Sequence, residues 1–110
     1  MKYLTVQEVT CIGPESCEPR LDPLMEALLN AEAADPAVED PDLAADLSTG
    51  RVDVQMIVEA PDPAEAMVKA LSTLRAAIHA IGDATPGWET TPAVMHAALA
   101  DDPDRLFSPA

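Results

Sequence analysis

Residues 42–60 read DLAADLSTGRVDVQMIVEA. On the second arm Val52, Val54, Met56 and Val58 alternate with Asp53, Gln55, Ile57 and Glu59. A β-strand turns successive side chains to opposite faces, so this period of two marks a strand with one apolar face. On the first arm Leu43, Ala45 and Leu47 alternate with Asp42, Ala44 and Asp46. Between the arms, LSTGR carries Gly50, which adopts positive φ without a Cβ clash. The stretch predicts a β-hairpin, with strands over 42–48 and 51–59.

Upstream, KYLTVQEVT is rich in β-branched residues and predicts a strand over 2–10. Leu4 and Val6 share one side of it, and Thr5, Gln7 and Val9 the other. Gly13, Pro14, Ser16 and Pro19 mark a loop over 11–19. In RLDPLMEALLNAEA, Asp22 is a candidate N-cap and Pro23 suits the first helical position. Leu21, Leu24, Met25, Leu28 and Leu29 recur at helical spacing, so a helix is expected over 22–33. The Asp-Pro-rich ADPAVEDPDLA that follows reads as an extended, solvated connection.

Downstream of the hairpin, Asp62, Pro63 and Glu65 occupy the N-cap, first and third positions of a helix. Glu65 and Lys69 form an expected i,i+4 pair. Ala64, Met67, Leu71, Leu74, Ile78 and Ile81 repeat every three or four residues, and Gly82 ends the helix. A short strand is expected at 88–91, with Pro92 tolerated only at a sheet edge. Residues 93–100 either extend it or turn helical.

The order strand, helix, strand, strand, helix, strand implies an α+β fold. Over residues 2–95 it resembles the ferredoxin-like βαββαβ architecture, a four-stranded antiparallel sheet with both helices on one face. That resemblance implies central first and third strands and a single domain over 1–98, with 99–110 a C-terminal tail. It is a likeness of architecture, and the architecture hosts many functions.

The 110 residues include 48% hydrophobic side chains but only Tyr3, Trp88 and Phe107 as aromatics, so the core must be aliphatic. The formal net charge is −14, and the six basic residues, Lys2, Arg20, Arg51, Lys69, Arg75 and Arg105, are scattered. Nucleic-acid binding needs clustered cations, so no nucleic-acid partner is expected. No run approaches the ~18 apolar residues of a membrane span, and the amino-terminal segment has no signal-peptide pattern. A cytoplasmic protein is expected, with no membrane partner.

Cys11 and Cys17 are the chain's two cysteines. Heavy-metal-associated domains of the same topology hold a soft ion in this loop, on two thiolates two residues apart. The spacing here is C-x5-C, which departs from that motif. Cys11 and Cys17 are nonetheless candidate metal ligands or a redox pair. His79 lies off the apolar stripe, and no zinc-enzyme, nucleophile-elbow or glycine-rich phosphate motif is present. No cofactor is expected.

The sheet face left open by the helices is expected to be wet and acidic, displaying Asp42, Asp46, Asp53 and Glu59 together with Thr5. Candidate partner- or ligand-contacting residues are Tyr3, Asp53, Gln55, Ile57 and Trp88. The leading expectation is a small acidic, non-enzymatic accessory domain that binds a basic protein partner. The alternatives are a dimeric ligand-binding protein or enzyme, with Trp88, Tyr3 and His79 at a pocket, and a thiol metal or redox site. A monomer and a homodimer both fit.

Overall fold

The structure, a computed structural model, describes residues 1–11, 17–82 and 94–99, the last segment as backbone. It is an α+β arrangement. Strand β1 (Lys2–Thr10) leads to helix α1 (Glu18–Ala34), then β2 (Val38–Asp46), β3 (Arg51–Glu59) and helix α2 (Pro63–Ala80). The three strands form an antiparallel sheet in the order β2-β3-β1. The expected strand at 88–91, with Trp88, and most of the expected tail lie outside the described residues.

The hairpin forms where alternation places it. β3 spans the expected residues, and Gly50 sits in the turn at φ 77°. Its N–H donates to the Asp46 carbonyl at 2.8 Å. Asp46 Oδ1 accepts from the Ser48 amide at 3.0 Å and the Ser48 hydroxyl at 2.6 Å, which holds the turn from inside. Leu47 belongs to this exposed turn rather than to β2.

β2 begins at Val38, inside the stretch expected to be a solvated connection. Val38 is buried opposite Val58, which draws the segment into the sheet. The Asp-Pro pair is accommodated by a bulge between Glu39 and Asp42. Asp40 takes φ 51° there, a region aspartate tolerates, and its N–H donates to Glu32 Oε2 at 2.7 Å. Pro41, which has no N–H to contribute, falls where the ladder is interrupted.

α1 starts four residues before the expected position, with Cys17 as its N-cap. Pro19 stands in the first turn, where an N–H has no helical partner to lose. Pro23 lies inside the helix and gives up one backbone bond there, while Asp22 is an exposed helical residue rather than the cap. Leu24 and Leu28 are its buried anchors.

α2 is capped as its sequence dictates: Asp62 Oδ1 accepts from the Glu65 amide at 2.8 Å, and Gly82 follows the helix at φ 90°. Its buried face differs from the expected stripe. Ala66, Ala70, Thr73, Leu74 and Ala77 are buried, Met67, Leu71 and Ile78 are half-buried, and Ala64 is exposed. Small side chains let the helix axis approach the sheet, and larger ones fill the flanks. Lys69 pairs with Asp35, just beyond α1, rather than with Glu65.

The core joins Leu24 and Leu28, the α2 alanines and Leu74 to Tyr3, Val38, Val52, Val54, Met56 and Val58. On β1 the buried residues are Tyr3, Thr5 and Gln7, so Thr5 lies under the helices and not on the open face. Thr5 Oγ1 donates to the Met56 carbonyl at 2.9 Å, and Gln7 Nε2 to the Ala70 carbonyl at 3.0 Å. These bonds offset part of the cost of placing two polar side chains in the core.

Candidate functional site

With the odd positions of β1 turned toward the helices, Leu4, Val6 and Glu8 occupy the opposite face beside Asp53, Gln55, Ile57 and Glu59 of β3. Strand register arranges this face in rows. Glu39, Ile57 and Leu4 lie side by side across β2, β3 and β1. The next row is Asp42, Gln55 and Val6, and the third is Ala44, Asp53 and Glu8. Lys2 and Glu59 are paired at one end.

Leu4, Val6 and Ile57 form a half-buried apolar centre, where a wet and acidic surface was expected. Their direct and diagonal neighbours across the strands are close enough to shield one another, although neither α1 nor α2 covers them. Around them stand Glu8, Glu39, Asp42, Asp53 and Glu59.

Cations answer some of these acids. Lys2 Nζ reaches Glu39 Oε1 at 2.7 Å, and the amino terminus reaches Glu59 Oε1 at 2.8 Å. Arg51 bridges two strands, with Nη2 2.5 Å from Glu8 Oε1 and Nε 3.1 Å from Asp53 Oδ1. The hydrogen bond to Asp53, followed by the charges of Asp53 and Glu8, holds the Arg51 guanidinium above its ordinary pKa. The hydrogen bond and charge of Glu39 do the same for the Lys2 ammonium. A shallow depression lined by Ala44, Ala45, Asp46, Arg51 and Asp53 marks the hairpin end.

Of the candidate residues, Asp53, Gln55 and Ile57 come together on this face, half-buried. Tyr3 does not join them. It is 4% exposed in the core, with its hydroxyl 3.7 Å from Met1 Sδ. Trp88 is outside the described residues. His79 is exposed in the last turn of α2, on the other side of the sheet from these residues.

Leu4 and Val6 were missed as site residues because they are the more apolar parity of β1 and a polar parity ordinarily faces water. The signal pointing the other way was Tyr3 and Val9, which share parity with Thr5 and Gln7.

Cys11 and Cys17 converge on one atom. The Cys11 amide donates to the Gly50 carbonyl at 2.8 Å, and Cys17 Sγ lies 3.8 Å from the same oxygen. Cys11 is half-buried and Cys17 is buried. Among the described residues no three His, Cys, Asp or Glu side chains are grouped to hold a metal ion. Among them, too, no helix is long and apolar enough to cross a membrane. Compared with protein-family models, curated proteins and solved structures, the chain finds no match.

Proposed function

We propose that the chain is a small non-enzymatic interaction domain that docks a basic, aliphatic protein segment on the face of its sheet opposite α1 and α2. The observation that carries this is the placement of Leu4, Val6 and Ile57 amid Glu8, Glu39, Asp42, Asp53 and Glu59. An apolar centre with a charged rim is the usual anatomy of an interface. Lys2, Arg51 and the amino terminus answer part of this charge, but five carboxylates against three cations leave the rim net negative, which favours a partner rich in Arg or Lys. A second copy would bring each acidic rim against another, in chains of net charge −14, so self-pairing is the weaker reading.

The same proposal takes the fold as ferredoxin-like. Residues Val94–Leu99 would be the fourth strand, antiparallel to β1 from Tyr3↔Leu99 to Glu8↔Val94, in the order β2-β3-β1-β4. That strand starts after Pro92, so the proline needs no place in the ladder. It makes β1 central, covers one more side of Leu4 and Val6, and closes a single domain near residue 99.

The test is an NMR titration with a synthetic peptide alternating Arg and Leu, against a peptide alternating Glu and Leu. The expected result is shifts at Leu4, Val6, Gln55 and Ile57 with the basic peptide only, weakening steeply as salt is raised. Shifts confined to the helices, or binding indifferent to salt, would sink the proposal. Sedimentation as a dimer buried on this face would replace it with self-association.

A further inference from the structure

We propose that Cys11 and Cys17 form a reversible dithiol–disulfide site that, when oxidised, ties the end of β1 to the first turn of α1. The inference is independent of the docking face. It rests on two residues meeting at the Gly50 carbonyl, 2.8 Å from the Cys11 nitrogen and 3.8 Å from Cys17 Sγ. Cys17 belongs to the hydrophobic core and Cys11 packs against it, so both side chains border the same region beside this oxygen, and the bond requires their Cα atoms to stand about 4.4–6.8 Å apart.

Exposure assigns the order of events. Cys11 is half-buried, and Cys17, the N-cap of α1, is 0% exposed. The Cys11 thiolate attacks one sulfur of a small external disulfide, such as glutathione disulfide. That S–S bond breaks, and the departing thiolate takes a proton from water. Cys17 then attacks the Cys11 sulfur, relinquishing its contact with Gly50, as its proton passes to the departing second thiolate. The second external thiol leaves. Two protein thiols are oxidised and one external disulfide is reduced to two thiols.

Incubating the full chain with glutathione disulfide and reading the intact mass tests this. The expected product is a monomer lighter by two hydrogens, restored by dithiothreitol. The C17S variant is expected to stop at one glutathione on Cys11, and the C11S variant to stay unmodified. The folded chain should favour the internal disulfide, relative to the glutathione couple, by at least about tenfold over the chain in urea above its unfolding transition. The apparent Tm should rise by roughly 5–10 °C on oxidation. Equal equilibrium constants in the two conditions, two glutathiones on the wild type, first reaction at Cys17 or a disulfide-linked dimer would each overturn the proposal.

Discussion

Gln7 Nε2 donates to the Ala70 carbonyl at 3.0 Å, tying the middle of β1 to the middle of α2, while Gln7 Oε1 has no hydrogen-bond partner among the described residues. The side chain is 0% exposed. One half of the carboxamide is therefore a specific tether, and the other half meets no donor among the described residues. A buried, unsatisfied acceptor costs about 1–3 kcal/mol, more than a typical hydrogen bond contributes.

Gln7→Met keeps the volume and removes both the bond and the orphaned oxygen. Stability is expected to hold or to rise by up to about 1 kcal/mol. Urea unfolding at neutral pH measures it. A loss of more than about 1 kcal/mol would mean that the tether outweighs the desolvation.

Ala70 is fully buried on the side of α2 that meets Gln7 of β1, whereas Val68, two positions earlier, is 69% exposed. Ala70→Leu should cost about 1–3 kcal/mol through overpacking. Val68→Ala should change stability by less than about 0.5 kcal/mol. Thermal unfolding of the pair, side by side, reads the contrast.

Met56 and Ile57 are neighbours on opposite faces of β3. Met56→Ala should cost about 2–5 kcal/mol, since Met56 is 0% exposed in the core. Ile57→Ala should cost under half of that and should abolish the response to the basic peptide. Equal losses of stability would place Ile57 in the core and remove the rationale for a docking role.

Gly50 holds φ 77° at the hairpin turn. Gly50→Ala forces a Cβ into the left-handed region and is expected to destabilise by about 1–2 kcal/mol. Gly50→Asn should recover part of this, because asparagine tolerates that region. Chemical denaturation of the two variants distinguishes backbone strain from lost packing.

Stability should fall at the acid end of the pH range. The hydrogen bond from Lys69, then that from the Ala37 amide, holds the Asp35 carboxyl below its ordinary pKa. The Ser48 hydroxyl, then the Ser48 amide, does so for Asp46. A depressed folded-state pKa contributes stability that is present above the unfolded value, near 4, and is lost as pH falls through the folded value. From neutral pH down to about 5, relief of the acidic self-repulsion works in the other direction. Urea midpoints should therefore be flat or rising down to about pH 5 and drop below about pH 4. Asp35→Asn should make that final drop shallower.

The hairpin, the span of β3, the cap of α2 and the glycine that ends it were legible in the chain alone. Each depends on neighbours within a few positions: alternation in 51–59, Asp62 on Glu65, Gly50 on Asp46. The start of β2, the earlier start of α1, the buried stripe of α2 and the parity of β1 were settled only by tertiary structure. β1 shows why. Hydropathy sends Leu4 and Val6 inward and Thr5 and Gln7 to water, but the acceptors that satisfy Thr5 and Gln7 lie 51 and 63 positions away, at Met56 and Ala70. A polar side chain's cost of burial depends on what it meets after folding, and a local pattern carries no record of that. The apolar centre of the open face is the direct result, because turning Thr5 and Gln7 inward leaves Leu4 and Val6 on the other side.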